Sequence, residues 1–216
     1  MLFSNVNELI ESNPHPFETG WQRLENGQGF VAVRTEMPAC SAKMIEWWFG
    51  YLETTEQYKV WHPSDHIYSG WRGERGTGRY IGGTHCIHER LGTDTVHKLK
   101  LNFRDPATVM DTQRFAAAGI GAAIYGRGGP LNLPVWSARV LHLIHDHPTA
   151  CTMRSRFWLG DIKPNVPILS GLMRRDMTSN ASLAGLAKHC SEEMTILAGF
   201  LPALYARETK TTGVRS

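Results

Sequence analysis

No stretch of this chain approaches the ~18 consecutive apolar residues that a membrane-spanning helix requires. Residues 1–11 include Glu8 and Glu11 and lack the basic stretch that opens an export signal. Neither export nor membrane anchoring is expected, so the sequence reads as that of a cytoplasmic protein. Cysteine is sparse and dispersed. Cys40, Cys86, Cys151 and Cys190 form no Cys-x-x-Cys pair, which argues against a structural zinc finger or a dithiol redox motif and leaves reduced thiols. An excess of one charge is also lacking: the formal net charge is +3, and Lys and Arg are scattered without a stripe or tail. Nucleic acid is therefore not an expected partner. No internal repeat or low-complexity tract is present, which removes repeat architectures from consideration.

What remains is 216 residues, 42% of them hydrophobic, enough for one core and a single domain over 1–216. Ten His and seven Trp stand out. Residues 1–28, with Pro14, Pro16, Gly20 and Gly27, read as a short helix or arm followed by loop. Residues 30–34 form a candidate first strand. Ser41 is placed to cap a helix over 42–52, whose Met44, Ile45, Trp48, Tyr51 and Leu52 share a face. The aromatic stretch 56–66 is interrupted by Pro63, so it reads as a helical turn leading into a strand that starts near His66. Turn signals at 73–78, 92–94 and 146–149 separate candidate strands over 66–72, 79–91, 96–103, 137–145 and 151–159. Sequential strands on short turns imply an antiparallel sheet. Between 105 and 134 the alternation lapses into Ala- and Gly-rich sequence, read as a long loop that could serve as a lid. Pro164, Pro167 and Gly171 mark a further connection.

In the last long segment, 177–208, the residues Leu183, Leu186, Ala187, Cys190, Met194, Leu197, Leu201 and Leu204 recur at threes and fours, as one face of a helix requires. The order is strand, helical pieces, about six antiparallel strands and one long helix. That is an α+β arrangement in which a curved sheet wraps around the last helix and leaves a cavity between them. The helix-grip fold of the birch-pollen-allergen and START-like ligand carriers has the same order.

Within that helix His189 and Glu193 lie four residues apart and project side by side, so the two could grip one metal ion. On the strand 79–91, His85, Ile87 and Glu89 share one face. If the connection to 66–72 turns at 76–78, His66 falls opposite Glu89. Taken singly, His62, His85 and His88 read as half-exposed strand histidines and Glu89 as a surface charge. A set of two His and two Glu suits a borderline cation such as zinc, and a catalytic zinc keeps one position open for water.

Several stretches together carry a resemblance: Trp47-Trp-Phe-Gly50, Tyr58-Lys-Val-Trp-His-Pro-Ser-Asp-His66, His88-Glu89, Arg154-Ser-Arg-Phe-Trp-Leu-Gly160 and His189-Cys-Ser-Glu-Glu193. In combination the chain resembles the diacetylphloroglucinol hydrolase family, which is similar to phloretin hydrolase. The resemblance implies a helix-grip fold and hydrolysis of the carbon–carbon bond between an acyl group and a phloroglucinol-type ring. It implies zinc (Zn2+) held by His66, Glu89, His189 and Glu193, with His62 as a rival for the first place. It also implies that Tyr58 works against the ring hydroxyls. His145 is a second candidate substrate contact, with His142 as its competitor on the opposite face, and Asp65 is a candidate partner for a ligand imidazole. The expected partner is a small aromatic ketone, with a homodimer left open. Two other readings of the same fold are a non-catalytic carrier of an aromatic or polyketide ligand and a metal-free aromatase or cyclase; metal content separates them from the hydrolase.

Overall fold

A computed structural model of the protein describes residues 1–11, 14–76 and 79–212. Helices α1 (Glu8–Glu11), α2 (Ala42–Tyr51), α3 (Thr55–Trp61), α4 (Pro167–Met177) and α5 (Asn180–Thr212) accompany eight strands. The strands are β1 (Gly20–Arg23), β2 (Gly29–Pro38), β3 (His66–Arg72), β4 (Thr84–Arg90), β5 (Val96–Arg104), β6 (Ile120–Pro130), β7 (Trp136–His147) and β8 (Ala150–Lys163). They form one antiparallel sheet in the order β1-β2-β8-β7-β6-β5-β4-β3. The early strand β2 sits beside the late strand β8, so the N-terminal segment closes the sheet against its C-terminal strand. Among the described residues no helix is long and apolar enough to cross a membrane.

Helix α5 explains the layering. Its buried stripe of Leu183, Leu186, Cys190, Met194, Leu197 and Leu201 packs with Val31 and Val33 of β2, Met153 and Phe157 of β8, and Ile45, Trp48 and Phe49 of α2. Each large apolar side chain taken from water on that stripe contributes about 1.5–3 kcal/mol. A charge introduced at Leu197, which is 0% exposed, would break the seam. The expected helix-grip architecture is the one observed, a sheet holding a long C-terminal helix on its inner face.

The sheet also has a covered outer face. Val6, Leu9 and Ile10 pack there against Phe30, Ala32, Tyr125, Leu141, Leu143 and Trp158. The arm over 1–28 is thus a cover that ends in strand β1, where the sequence suggested loop. Strand β8, lying between two cores, is buried over ten consecutive residues, 151–160. Its outer face carries two fully buried cations, Arg154 and Arg156. Glu18 of the arm reaches both, with Arg154 Nη2 at 2.9 Å and Arg156 Nη2 at 2.7 Å.

Further expectations change. The second half of the supposed loop over 105–134 is strand β6, in the middle of the sheet. Its small residues answer to close packing: a Cβ added at Gly121 would lie 2.6 Å from Ala42 Cβ of α2, and one at Gly126 would lie 2.7 Å from Leu101 Cδ1. The stretch read as a connection around Pro167 begins helix α4, with Pro167 in its first turn, where a missing N–H costs nothing. Local capping follows the sequence elsewhere. Ser41 Oγ accepts the Met44 N–H at the start of α2, and Thr54 and Gln57 form a capping box on α3. The proposed turn over 73–78 ends in residues 77 and 78, which lie outside the described residues.

Candidate metal centre

Strand β3 begins at His66, immediately after α3 and the tight turn through Pro63. From Tyr68↔His88 to Arg72↔Thr84 the β3–β4 ladder runs one residue away from the register expected from the sequence. An irregularity between His66 and Tyr68 then restores His66 to its place opposite Glu89. The extra residue there is Ile67, and it turns His66 and Ser69 to the same buried side. The expected cross-strand pair exists, through a slip and a bulge that cancel.

On α5, His189 and Glu193 stand one turn apart, and their side chains meet those of the sheet. His66 Nε2 lies 3.5 Å from Glu193 Oε2 and 3.7 Å from Glu89 Oε2. His189 Nε2 lies 3.8 Å from Glu193 Oε2 and 4.0 Å from Glu89 Oε2. Around one ion at ~2.0–2.2 Å, tetrahedral donors would sit about 3.4 Å from one another. These four distances exceed that by about 0.1–0.6 Å, and the donor atoms of His66, His189 and Glu193 all lie within 4.8 Å of one another.

The hydrogen bonds behind the rings favour the same use. His66 Nδ1 lies 2.8 Å from the Tyr58 carbonyl oxygen, and His189 Nδ1 lies 2.9 Å from Asp65 Oδ2. A carbonyl and a carboxylate can only accept, so each Nδ1 carries the hydrogen and each neutral ring turns a lone pair outward at Nε2. The Nε2 of His66 is buried without a hydrogen-bond partner, as an atom reserved for a metal would be. The site also calls for positive charge. Burial works against the His189 imidazolium, but the charges of Glu193, Glu89 and Asp65 outweigh it and raise the pKa. Burial likewise works against the Glu193 carboxylate, yet His189 and His66 hold its pKa below the usual carboxylate value. A proton or a cation can meet this demand, and the residues present fit zinc.

Tyr58 borders the cluster and donates its O–H to Glu89 Oε2. Burial, and then the Glu89 charge, push its pKa well above the ordinary phenol value. Trp61 Nε1–H donates to the Glu193 carbonyl at 3.0 Å and steadies that turn of α5. His85 lines the same side of the sheet, with Nε2 2.7 Å from Ser69 Oγ and its ring stacked on Trp71. Burial lowers its pKa to about 3. Alternation had put His85 on the Glu89 face; its partner Ser69 carried no signal in the sequence.

The two candidate histidines of β7 part company. His142 is on the inner face, beside Phe49 and Phe157, with Nδ1 2.7 Å from Ser155 Oγ. Its pKa falls to about 4 through burial, against the pull of the Glu193 charge. His145 is not brought to the cluster. It lies on the outer face, where its Nε2 is 3.3 Å from Nη1 of Arg154. Burial and the Arg154 charge lower its pKa to about 4. Alternation along β7 separates the two residues, and only the packing decides which side is inside. His62 is distinct from His66, with ring centroids 5.6 Å apart, and stacks instead on His189 at 5.0 Å.

The family model described as the DAPG hydrolase PhiG domain matches residues 1–206. The chain is 26% identical to 2,4-diacetylphloroglucinol hydrolase of Pseudomonas protegens, with 93% of this chain and 72% of that protein covered. It is also 26% identical to phloretin hydrolase of Eubacterium ramulus, covering 97% of this chain and 79% of that one. Among solved structures, protein Ms6760 from Mycobacterium smegmatis shares the fold, with a TM-score of 0.50 at 11% identity over 86% of this chain and 98% of its own.

Proposed function

The chain belongs to the family of the DAPG hydrolase PhiG domain, and on that premise we propose that it is a zinc-dependent hydrolase of acylphloroglucinol or phloretin-like ketones. The bond cleaved joins the acyl carbon to the phenolic ring. The relatives named above support the substrate class. The observation that carries the reading is the convergence of His66 Nε2, His189 Nε2, Glu89 Oε2 and Glu193 Oε2, with both Nδ1 positions already engaged.

In the balanced reaction, water adds its oxygen to the acyl carbon and releases a carboxylic acid. The ring carbon takes one proton, and the carbon–carbon electron pair passes through the ring to the keto oxygen, which restores the phenol. Ring hydroxyls ortho and para to the acyl group make this tolerable, because the ring carbon can be protonated in a keto form before the bond breaks. Bound by His66, Glu89, His189 and Glu193, zinc supplies Lewis acidity that polarises a ketone oxygen and lowers the pKa of a water towards neutral.

The remaining work falls to the chain. Asp65 holds the His189 ring and its tautomer, and the Tyr58 carbonyl does the same for His66. Tyr58 keeps its proton throughout the neutral range and holds its O–H beside Glu89, where it can serve a ring hydroxyl or the ring carbon. His142, on the inner face, is better placed than His145 to orient a second ring hydroxyl. Its neutral ring and the Glu193 charge lie close enough to influence each other. Trp48, Phe49 and Trp61 supply apolar surface around this region and limit water.

The test is zinc per chain by elemental analysis, in protein purified without added metal and in His189→Ala, alongside acid release from acylphloroglucinols. Near one zinc in the native protein and loss of both metal and acid release in the variant are expected. Full activity in metal-free protein would sink the reading, and absence of zinc from both proteins would favour the carrier.

A further inference from the structure

We propose that the mouth of the site binds a second, more loosely held divalent cation of the zinc class, between His62, Asp65 and Glu192. His62 is the residue that ends α3 and is only 4% exposed, yet its Nε2 is buried without a hydrogen-bond partner. That atom lies 3.8 Å from Asp65 Oδ2 and 3.8 Å from Glu192 Oε2. All three residues line one surface hollow, together with Ser64, Lys188 and Ser191. An imidazole and two carboxylates at this spacing suit a borderline cation, with water completing its shell.

The tautomer permits it. His62 Nδ1 lies 3.3 Å from Ser64 Oγ and accepts the Asp65 backbone N–H at 3.3 Å. That backbone N–H also has the His62 carbonyl oxygen 3.3 Å away. With that N–H left to the carbonyl, a cation at Nε2 would move the ring hydrogen to Nδ1, where Ser64 Oγ accepts it.

This position is separate from the inner one. The His189 ring stands between them, with Nε2 towards Glu89 and Glu193 and Nδ1 towards Asp65. Asp65 Oδ2, the oxygen 3.8 Å from His62 Nε2, also accepts the His189 Nδ1 hydrogen at 2.9 Å, and its second lone pair is the one a cation would take. Binding is weaker than inside for two reasons. The Glu192 side chain is 42% exposed, and it is paired with Lys188 at 3.0 Å. Lys188 must swing away, which its 63% exposure makes cheap. The ranking of the sites rests on the inner centre proposed above.

Equilibrium dialysis of the zinc-loaded protein against rising free Zn2+, with zinc counted per chain, tests the proposal. Two equivalents are expected, one retained on washing and one removed. His62→Ala and Glu192→Gln should keep the first and weaken the second by at least tenfold, whereas His66→Ala should lose the first. Glu192 is exposed enough that its variant reports even if His62→Ala folds poorly. A single equivalent that His66→Ala abolishes would overturn the outer site and leave the hydrolase reading standing. A second equivalent unchanged in both His62→Ala and Glu192→Gln would also overturn it. A single equivalent lost in His62→Ala but kept in His66→Ala would overturn both sites as assigned.

Discussion

Tyr58 lies flat against His66, with ring centroids 3.7 Å apart and planes 4° from parallel. Its carbonyl accepts the His66 Nδ1 hydrogen at 2.8 Å, and its hydroxyl donates to Glu89. One helix residue thus holds the imidazole from two directions and joins it to a carboxylate on the neighbouring strand. The stacking and the carbonyl bond need only the ring and the backbone; the link to Glu89 needs the hydroxyl.

That division makes Tyr58→Phe informative. The variant should keep its zinc, because ring and backbone persist, and lose activity by roughly 100-fold or more, the usual loss for a missing proton donor. Zinc content and turnover of an acylphloroglucinol, measured on the same preparation, check this. Loss of zinc in parallel with activity would make Tyr58 a positioning residue for the metal.

Asp65→Asn should leave all four proposed ligands in place and lower zinc affinity by about 10–100-fold. The His189 Nδ1 hydrogen would then meet a neutral amide instead of a carboxylate. Competition against a calibrated chelator reads the change directly. By contrast, His189→Ala and Glu193→Ala should fail to retain zinc after washing.

The two faces of β7 can be told apart by a matched pair of substitutions. His142→Gln should lower kcat/KM by roughly tenfold or more with zinc unchanged. His145→Gln, on the outer face beside Arg154, should change thermal stability and leave kcat/KM within about twofold. The reverse result would restore His145 as the substrate contact.

The pH dependence of stability has a definite sign in metal-free protein. Burial holds the folded-state pKa of His142 at about 4 and of His85 at about 3, against ~6.5 when unfolded. The unfolded chain therefore binds more protons below ~6.5, and stability falls as pH drops from there towards 4, by roughly 1 kcal/mol per pH unit for each residue. His189 acts oppositely: its raised pKa contributes stability below ~6.5 that is lost as pH rises through the folded value. Urea midpoints across pH 4–8 should show the acid decline, and His142→Gln should flatten it. In the zinc-bound protein the raised His189 pKa makes protons compete with metal at a higher pH than an ordinary histidine would, so zinc release on acidification should begin early.

Glu18→Gln tests the clamp on the outer face. Arg154 and Arg156 are both 0% exposed, and Glu18 is the carboxylate that meets both. Removing that charge takes from two buried guanidinium groups the carboxylate they share, at a cost of about 3 kcal/mol. The urea midpoint should fall while zinc content stays the same, since the clamp and the proposed centre are on opposite faces of the sheet.

How much of this was legible beforehand depends on whether the signal was local. The buried stripe of α5, the pairing of His189 with Glu193 on one turn, and the common face of His85, Ile87 and Glu89 all follow from the 3.6- and 2-residue periods. So does the shared face of Arg154, Arg156 and Trp158. The motif combination that names the family is also sequence information, because it lists residue types and spacings.

Periodicity separates two faces without saying which one a folded sheet turns towards its helix, and here both faces are covered. That is why periodicity gave no ground for preferring His145 to His142, and why the Ala- and Gly-rich β6, packed closely against α2 and β5, lost the contrast that marks a strand. The bulge at Ile67 that aligns His66 with Glu89, the bond from Asp65 to His189 and the reach of Glu18 to Arg154 and Arg156 join residues from 23 to 138 positions apart. Helix and strand periods were set by the chain's own covalent geometry. The convergence of imidazoles and carboxylates at one point was decided by the curvature of the sheet around α5 and by what buries its far side.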